Sequence, residues 1–236
     1  LTTTNQKARL LRQAGAAGVL GLSTSEELLR LAPTDFYLRV LLSGLSCRGL
    51  VEGYNFCFGK DRQGTVELLR QLTQQDGIPL EIVQPVYVEG RLISSSRVRS
   101  ALEQGDVTEA ALLLGRPYEL TGQVVVGQKR GRALGFPTAN LAGVTTLVPA
   151  EGVYAGWVDA DTVQTPAAIH VGPNPTFGET ERKIEAHLIG FQGDLYGRTV
   201  VVTFVRRLRD THRFSSVSDL KAQLQRDVQL AREAVS

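Results

Sequence analysis

The sequence predicts an α+β protein built in two parts, an α/β layer followed by an antiparallel β-barrel or sandwich with a helix packed on it. Three observations predict it. Helical stretches alternate with short apolar runs through the first half of the chain, the rhythm of a parallel α/β layer. Beyond Pro117 the hydrophobic period drops to two, with turn residues between short segments, as in a barrel or sandwich. The last segment returns to a helical period: Val217, Leu220, Leu224, Val228 and Ala231 fall at helical steps and form one apolar stripe.

The elements follow in order. Thr3 or Thr4 can cap a first helix carrying Lys7, Leu10 and Leu11, with Gly15 as its stop. "GVLGL" (residues 18–22) reads as a buried strand. "SEELLRL" is a helix, and "PTDFYLRVLLSGL" is another, opened by Pro33 and Asp35 and closed by Gly44. "CRGLVEGYNF" holds a strand that ends in a loop, "TVELLRQLTQQDG" is a helix, and "LEIVQPVYV" is strand-like. In "ISSSRVRSALEQGDVTEAALLLGRPY" the serines cap a helix with Val98, Ala101 and Leu102 on its inner face. Asp106 and Glu109 form an acidic variant of the capping box before a second helix, which Gly115 and Pro117 end. A domain boundary near Gly115 follows, giving residues 1–114 and 115–236. "ELTGQVVVG", "GVYAGWVDA", "PAAIHVG", "KIEAHLIGF" and "RTVVVTFVRRL" are the strands of the second part.

With 236 residues and roughly 150 per domain, the chain holds one or two domains. A net charge of +2 lacks the basic excess usual for nucleic-acid binding, though it allows a local phosphate pocket. Cys47 and Cys57 are too few for a zinc cluster and read as reduced, buried side chains of a cytoplasmic protein. No apolar run is long enough for a membrane span, and no signal peptide is visible. The chain contains no methionine and begins directly in a helix, as expected of a fragment.

The segment "GQKRGRALGFPTANL" combines most of the features a phosphate needs. Gly127, Gly131 and Gly135 recur every fourth residue and allow backbone N–H groups to approach phosphate oxygens. Lys129, Arg130 and Arg132 supply charge. Thr138 and Asn140 would project to one side of an extended chain, and their oxygens suit Mg²⁺. The spacing alone equally fits a glycine-rich hairpin followed by an asparagine turn. In "KIEAHLIGF", Glu185 and His187 share one face of a strand while Ile184, Ala186 and Leu188 share the other. Glu185 is then either a solvated carboxylate or a general base in a cleft. His187 is a supporting partner, and His170 and His212 read as structural or surface residues. "ISSSRVR" could bind an anion at a helix start, or simply cap it. "GYNFCFGK" could hold a planar ring against Phe56 or Phe58, or merely end a strand. The arginine-rich "VRRLRDTHRF" reads as a charged strand edge.

Taken in order, these motifs carry a family resemblance. "ISSSRVRSALEQGDVTEAALLLGRPYELTGQVVVGQKRGRALGFPTANL" closely resembles the junction of bacterial bifunctional riboflavin kinase/FMN adenylyltransferases, or FAD synthetases. "GVYAGWV", "VGPNPTFG", "IEAHLIGFQGDLYG" and "VRRLRDTHRFSSVSDLKAQLQRDVQLAR" resemble the rest of the kinase module. The resemblance covers essentially the whole chain. It implies a Rossmann-like nucleotidyltransferase module, incomplete at its N-terminus, and a kinase barrel of about six strands with a C-terminal helix. The implied reaction is transfer of the ATP γ-phosphoryl to the 5′-hydroxyl of riboflavin, giving FMN. By matching position, Glu185 is the base, Thr138 and Asn140 hold Mg²⁺ and the phosphates, and residues 127–135 form a flap over ATP. The segment around Arg209 and Phe214 would border the flavin. In the first module, Asn55 and Phe56 match the flavin-side loop, and Ser95, Ser96 and Arg97 match a phosphate motif.

The sequence departs from the family at one point. No His-X-Gly-His occurs, although the adenylyltransferase module carries that motif on an early loop. The expectation is that it lies upstream of Leu1, and that this chain makes FMN but not FAD efficiently. The rival expectation is a non-catalytic barrel that binds flavin or single-stranded nucleic acid. A transcriptional regulator built on the same barrel is a third, though it would need none of Thr138, Asn140 and Glu185.

Overall fold

The computed structural model describes residues 1–160, 163–174, 176 and 178–235. Pro175 and Phe177 of the "VGPNPTFG" segment lie outside the described residues. The chain divides into two compact units, one of Leu11–Tyr87 and one of Leu1–Leu10 with Val88–Ser236.

The chain enters through helix α1 (Thr4–Gln13). A reciprocal capping box starts it: the Gln6 N–H donates to Thr3 Oγ1 at 3.1 Å, and the Thr3 N–H donates to Gln6 Oε1 at 3.0 Å. In the Leu11–Tyr87 unit, α2 (Glu26–Arg30) is capped by Ser25. The predicted single helix from Pro33 instead begins as a short α-turn, α3 (Pro33–Asp35), and widens into a π-helix over Phe36–Gly44. The Leu45 N–H accordingly reaches back five residues to the Val40 carbonyl. Strand β1 (Leu50–Gly53) and strand β2 (Leu80–Val83) pair in parallel, and α4 (Val66–Gln75) makes the crossover that parallel pairing requires. Tyr37, Phe58 and Leu69 form the core of this unit. The predicted strand at residues 18–22 does not form: the segment is exposed, with Leu20 65% accessible. An apolar run becomes a strand only when it pairs, and this one pairs with nothing among the described residues.

The chain re-enters the second unit at a short hairpin, β3 (Tyr87–Val88) and β4 (Arg91–Leu92). Ser94 caps α5 (Ser95–Glu103) and Asp106 caps α6 (Val107–Leu114), which ends on Gly115 in the left-handed conformation. Only half of the predicted capping box forms. Asp106 accepts from the Glu109 N–H, but the Glu109 carboxylate turns to Arg97 and Arg91 instead. Both helices contribute Val98, Leu102, Val107, Ala110 and Leu113 to the same core as the barrel.

The barrel has six antiparallel strands: β5 (Tyr118–Val125), β6 (Ala139–Ala142), β7 (Gly152–Ala160), β8 (Val163–Gly172), β9 (Lys183–Leu188) and β10 (Thr199–Arg209). They close in the order β10-β5-β6-β9-β8-β7. β10 pairs with β5 only as far as Phe204 and with β7 on to Arg209, so Arg206, Arg207 and Arg209 of "VRRLRDTHRF" lie on a stretch with a strand on one side only. Alternation fills the interior with Leu120, Tyr154, Ile169, Ala186 and Phe204, all fully buried. Each large apolar side chain among them contributes roughly 1.5–3 kcal/mol. The tyrosine hydroxyls are satisfied: Tyr118 donates to the Leu147 carbonyl at 2.7 Å and Tyr154 to the Ala150 carbonyl at 2.6 Å. Helix α7 (Arg130–Leu134) lies in the β5–β6 connection. Helix α8 (Val217–Ala234) follows the last strand and packs on the outer face over Ala155 and Ala168 through Ala231 and Val228. Small residues on the strands let the helix approach. Val217, the first residue of the predicted stripe, is exposed. No helix among the described residues is long and apolar enough to cross a membrane.

Gly156 shows how tight the barrel is. It stands opposite Phe204, and a Cβ there would overlap the Thr203 carbonyl oxygen and come within 2.8 Å of Ile169 Cδ1. Gly156→Ala should therefore cost more than about 3 kcal/mol. Gly18→Ala, where a Cβ meets nothing within 4 Å, should change stability by less than about 0.5 kcal/mol. Urea unfolding followed by fluorescence of Trp157, the single tryptophan, checks both.

Candidate active site

The barrel register places one row of side chains on its outer face. Asn140 on β6 stands directly across from Glu185 on β9. Glu185 stands across from His170 on β8, His170 from Val153 on β7, and Val153 from Arg209 on β10. All five line a single cleft, roofed on one side by α7 and walled on the other by α8 and the segment before it. The strand alternation predicted for β9 holds: Ile184, Ala186 and Leu188 are buried, while Glu185 and His187 face out.

Glu185 is half-buried, and its removal from water raises its carboxyl above the usual carboxylate range. Asn174 Nδ2 donates to Glu185 Oε1 at 3.2 Å and partly offsets that rise; the neighbouring Glu179 charge adds to it. Glu179 is itself held below the usual range, first by the hydrogen bond from Lys183 Nζ at 2.9 Å. Arg130 Nη1 completes this network at 2.7 Å from Glu179 Oε1, tying α7 to the strand side of the cleft.

The glycine-rich segment is neither a hairpin nor followed by a turn. Its middle is the short helix α7, and Asn140 lies in a barrel strand. Two glycines have steric reasons. A Cβ on Gly127 would collide with the Asn140 amide, and one on Gly131 with the Phe136 carbonyl oxygen. Gly135 closes α7 with φ +91°. Lys129, Gly131, Thr138 and Asn140 line the cleft with Glu185. Arg132 does not; it faces an adjoining hollow bounded by Leu188, Phe191 and Tyr196, which shares Lys129 and Thr138 with the cleft. His187 supports the motif from below, its Nδ1 lying 2.8 Å from the Pro137 carbonyl oxygen.

At the far end, Arg209 is fixed by Asp227 of α8 through contacts of 2.6, 2.9 and 3.2 Å. Asp227 is 2% exposed, so this is a buried ion pair. Phe214 lies beside it, its ring 4.2 Å from that of His212. His170, half-buried, and His212, exposed, both line the cleft. Burial, then the Arg209 charge, push the His170 imidazole down to about 4, so the ring is neutral. Asp227 carried a sequence signal: it stands seven residues after Leu220 and four before Ala231, on the apolar stripe itself. Asn174 and Glu179 had no role assigned by spacing, and Arg130, expected to supply charge to a phosphate, pairs with Glu179 instead.

In the other unit, Phe58 is a core residue with Phe56 stacked on it at 5.6 Å, while Asn55 is exposed. In α5, Ser94 rather than Ser95 or Ser96 makes the cap. Ser95 and Ser96 are exposed in the first turn, and Arg97 pairs with Glu109 at 3.3 Å.

With this geometry in view, the known proteins most like the chain can be set beside it. The riboflavin kinase family matches residues 114–235 and the FAD synthetase family residues 1–97. A bifunctional riboflavin kinase/FMN adenylyltransferase of Pseudomonas fluorescens is 38% identical over 98% of this chain and 76% of its own length. The Escherichia coli K12 protein of the same name is 34% identical over 99% and 75%. A Streptococcus pneumoniae crystal structure described as a macrolide-efflux protein superposes with a TM-score of 0.86 at 34% identity, over 98% of this chain and 74% of that one. This chain belongs to the bifunctional riboflavin kinase/FMN adenylyltransferase family.

The neutral His170 has a measurable consequence. Above pH 6.5 both folded and unfolded chains leave this imidazole unprotonated. Between pH 6.5 and about 4 the unfolded chain takes up a proton that the folded chain refuses, so stability falls as pH falls. The expected loss from pH 7 to pH 5 is about 2 kcal/mol. Urea midpoints read by Trp157 fluorescence should show a smaller loss in His170→Asn.

Proposed function

We propose that the cleft on the outer face of the barrel is where this chain transfers the γ-phosphoryl of ATP to the 5′-hydroxyl of riboflavin, giving FMN and ADP. One observation carries the reading: Asn140 and Glu185 are direct cross-strand neighbours, so a phosphate-side ligand and a base face the same space. Glu185 takes the proton from the 5′-hydroxyl as its oxygen attacks the γ-phosphorus and ADP leaves. A base withdrawn from water and raised in pKa is better matched to a hydroxyl proton near neutral pH.

Thr138 and Asn140 would hold Mg²⁺ together with the ATP phosphates. The donor set fits: both are neutral oxygen ligands, and no cluster of three His, Cys, Asp or Glu competes for a metal among the described residues. Mg²⁺ takes few protein oxygens and fills the rest from phosphate and water. When bound, the ion neutralises charge on the transferring group. Lys129 and the backbone of Gly131 border the phosphates, while Gly127 and Gly135 let the chain turn closely around them. Arg132, in the adjoining hollow, would meet the remainder of the nucleotide. Residues 127–135 act as the cover that excludes water, the competing acceptor. On the other side, Phe214 offers the flavin a ring face, and Arg209, committed to Asp227, holds that wall in place.

We assign this chemistry to residues 115–236. Residues 1–114 would serve adenylylation of FMN, with Asn55 and Phe56 on the flavin side and Ser95, Ser96 and Arg97 on the phosphate side. The free thiols of Cys47 and Cys57 suit the cytoplasm, where ATP is also available.

Incubating the chain with riboflavin, ATP and Mg²⁺ and separating the flavins by chromatography tests the reading. FMN should form; a folded sample that makes none refutes it. Glu185→Gln should lower the rate at least about 100-fold with ATP binding retained, and unchanged turnover would remove Glu185 from the base role. The FAD peak in the same chromatogram reports adenylylation.

A further inference from the structure

Asn174, Thr176 and Glu179 lie in the connection between β8 and β9, and all three line the cleft. Each makes a polar contact with a different part of the site. Glu179 Oε1 meets Arg130 Nη1 of α7 at 2.7 Å. Asn174 Nδ2 donates to Glu185 Oε1 at 3.2 Å. Thr176 Oγ1 accepts the backbone N–H of Phe214, in the segment before α8, at 3.1 Å. The three residues therefore touch the nucleotide side, the base and the flavin side of the proposed kinase site.

Both walls need such support. None of the five residues of α7 is buried, and no side chain caps its first turn, so apolar packing does little to fix it. Residues 210–216 likewise include none that is buried. The contacts are rooted in the barrel. Lys183, the first residue of β9, donates to Glu179 Oε2 at 2.9 Å, and the Glu179 N–H donates to the Asn174 carbonyl at 3.3 Å. A carboxylate can only accept, so the Asn174 amide turns Nδ2 toward both Glu179 and Glu185. That contact occupies Glu185 Oε1 and leaves Oε2 for a substrate proton. We propose that these three side chains are positioning residues with divided tasks: Glu179 holds α7 over the nucleotide, Asn174 turns the Glu185 carboxylate toward the acceptor hydroxyl, and Thr176 sets the flavin wall through Phe214. The inference rests on the kinase reading above.

Steady-state kinetics of FMN formation by the chain and its variants separate the three tasks. Glu179→Gln should raise KM for ATP roughly three-fold and leave KM for riboflavin unchanged. Adding Arg130→Gln to it should give a variant no worse than Arg130→Gln alone, because the pair acts as one unit. Thr176→Val should do the reverse, raising KM for riboflavin roughly five-fold with KM for ATP unchanged. Thr176→Ser, which keeps the accepting oxygen, should restore wild-type values. Asn174→Ala should lower kcat about ten-fold with both KM values retained. Residues that merely stabilise the fold would move both KM values together. Joint rises in Glu179→Gln or Thr176→Val, no change in either, a Thr176→Ser no better than Thr176→Val, or an unaltered kcat in Asn174→Ala would each overturn the proposal. Wild-type FMN formation would then leave the kinase reading intact, whereas a wild-type chain that forms no FMN overturns both. Circular dichroism checks the fold of each variant. The three arms are independent, so a variant that does not fold leaves the other two to decide.

Discussion

A closed barrel has no freedom of register once its interior is filled. Sliding any strand by one residue would turn Leu120, Ile169, Ala186 or Phe204 outward and bring polar side chains in. The same alternation that buries this set therefore fixes the opposite set, strand by strand. Asn140, Glu185, His170, Val153 and Arg209 come from five strands separated widely in sequence, yet they form one straight row because the interior leaves them no other arrangement. The site inherits its precision from the core. Side chains on a rigid sheet hold their geometry better than side chains on loops, and here only the cover and the far wall are built from connections.

Those two walls are fastened by charge in different ways. On the far side, Arg209 and Asp227 form a buried ion pair joining β10 to α8. Such a pair contributes little net stability against an apolar alternative, but breaking it strands a charge. Its effect here is orientation: it sets which face of α8 looks into the cleft, and the small residues Ala155 and Ala168 let the helix lie down beside it. On the near side, Glu179 gathers Lys183, Asn174 and Arg130. Arg130 is the partner that comes from α7, so this network links the proposed cover to the strand that carries the proposed base. The Asn174 amide bridges Glu179 and Glu185, and the position of α7 is thereby coupled to the electrostatics of Glu185.

The sequence was most readable where a period or a cap encodes structure directly. The alternation in β9 placed Glu185 and His187 on one face, and the serine and threonine caps located helix starts to within a residue or two. Parallel pairing of β1 and β2 followed from the helix between them. What stayed hidden depended on pairing between distant segments. β6 is only four residues long and follows a proline, so nothing local distinguishes it from a turn; β5 and β9 make it a strand. Residues 18–22 show the converse, an apolar run with no partner. The arginines of β10 read as a charged strand edge, and the stretch that carries them has only β7 beside it. His170, read as a structural or surface residue, stands in the cleft wall. Its neighbours in the site lie across strand pairings, and no spacing in the chain announces them. The family resemblance supplied the proposed roles of Thr138, Asn140 and Glu185, but not the Asn174, Glu179 and Arg130 network or the Asp227 anchor, which follow from the fold.

We place the acceptor along the barrel's outer face, with its terminal oxygen at Glu185 and the nucleotide on the Asn140 side. A crystal structure of the chain with riboflavin, Mg²⁺ and a non-hydrolysable ATP analogue tests that placement. The expected result is a 5′-oxygen within hydrogen-bond reach of a Glu185 carboxylate oxygen, about 2.6–3.2 Å, with the terminal phosphate beside Thr138 and Asn140. A flavin bound away from this row, or one whose 5′-oxygen points away from Glu185, would contradict it.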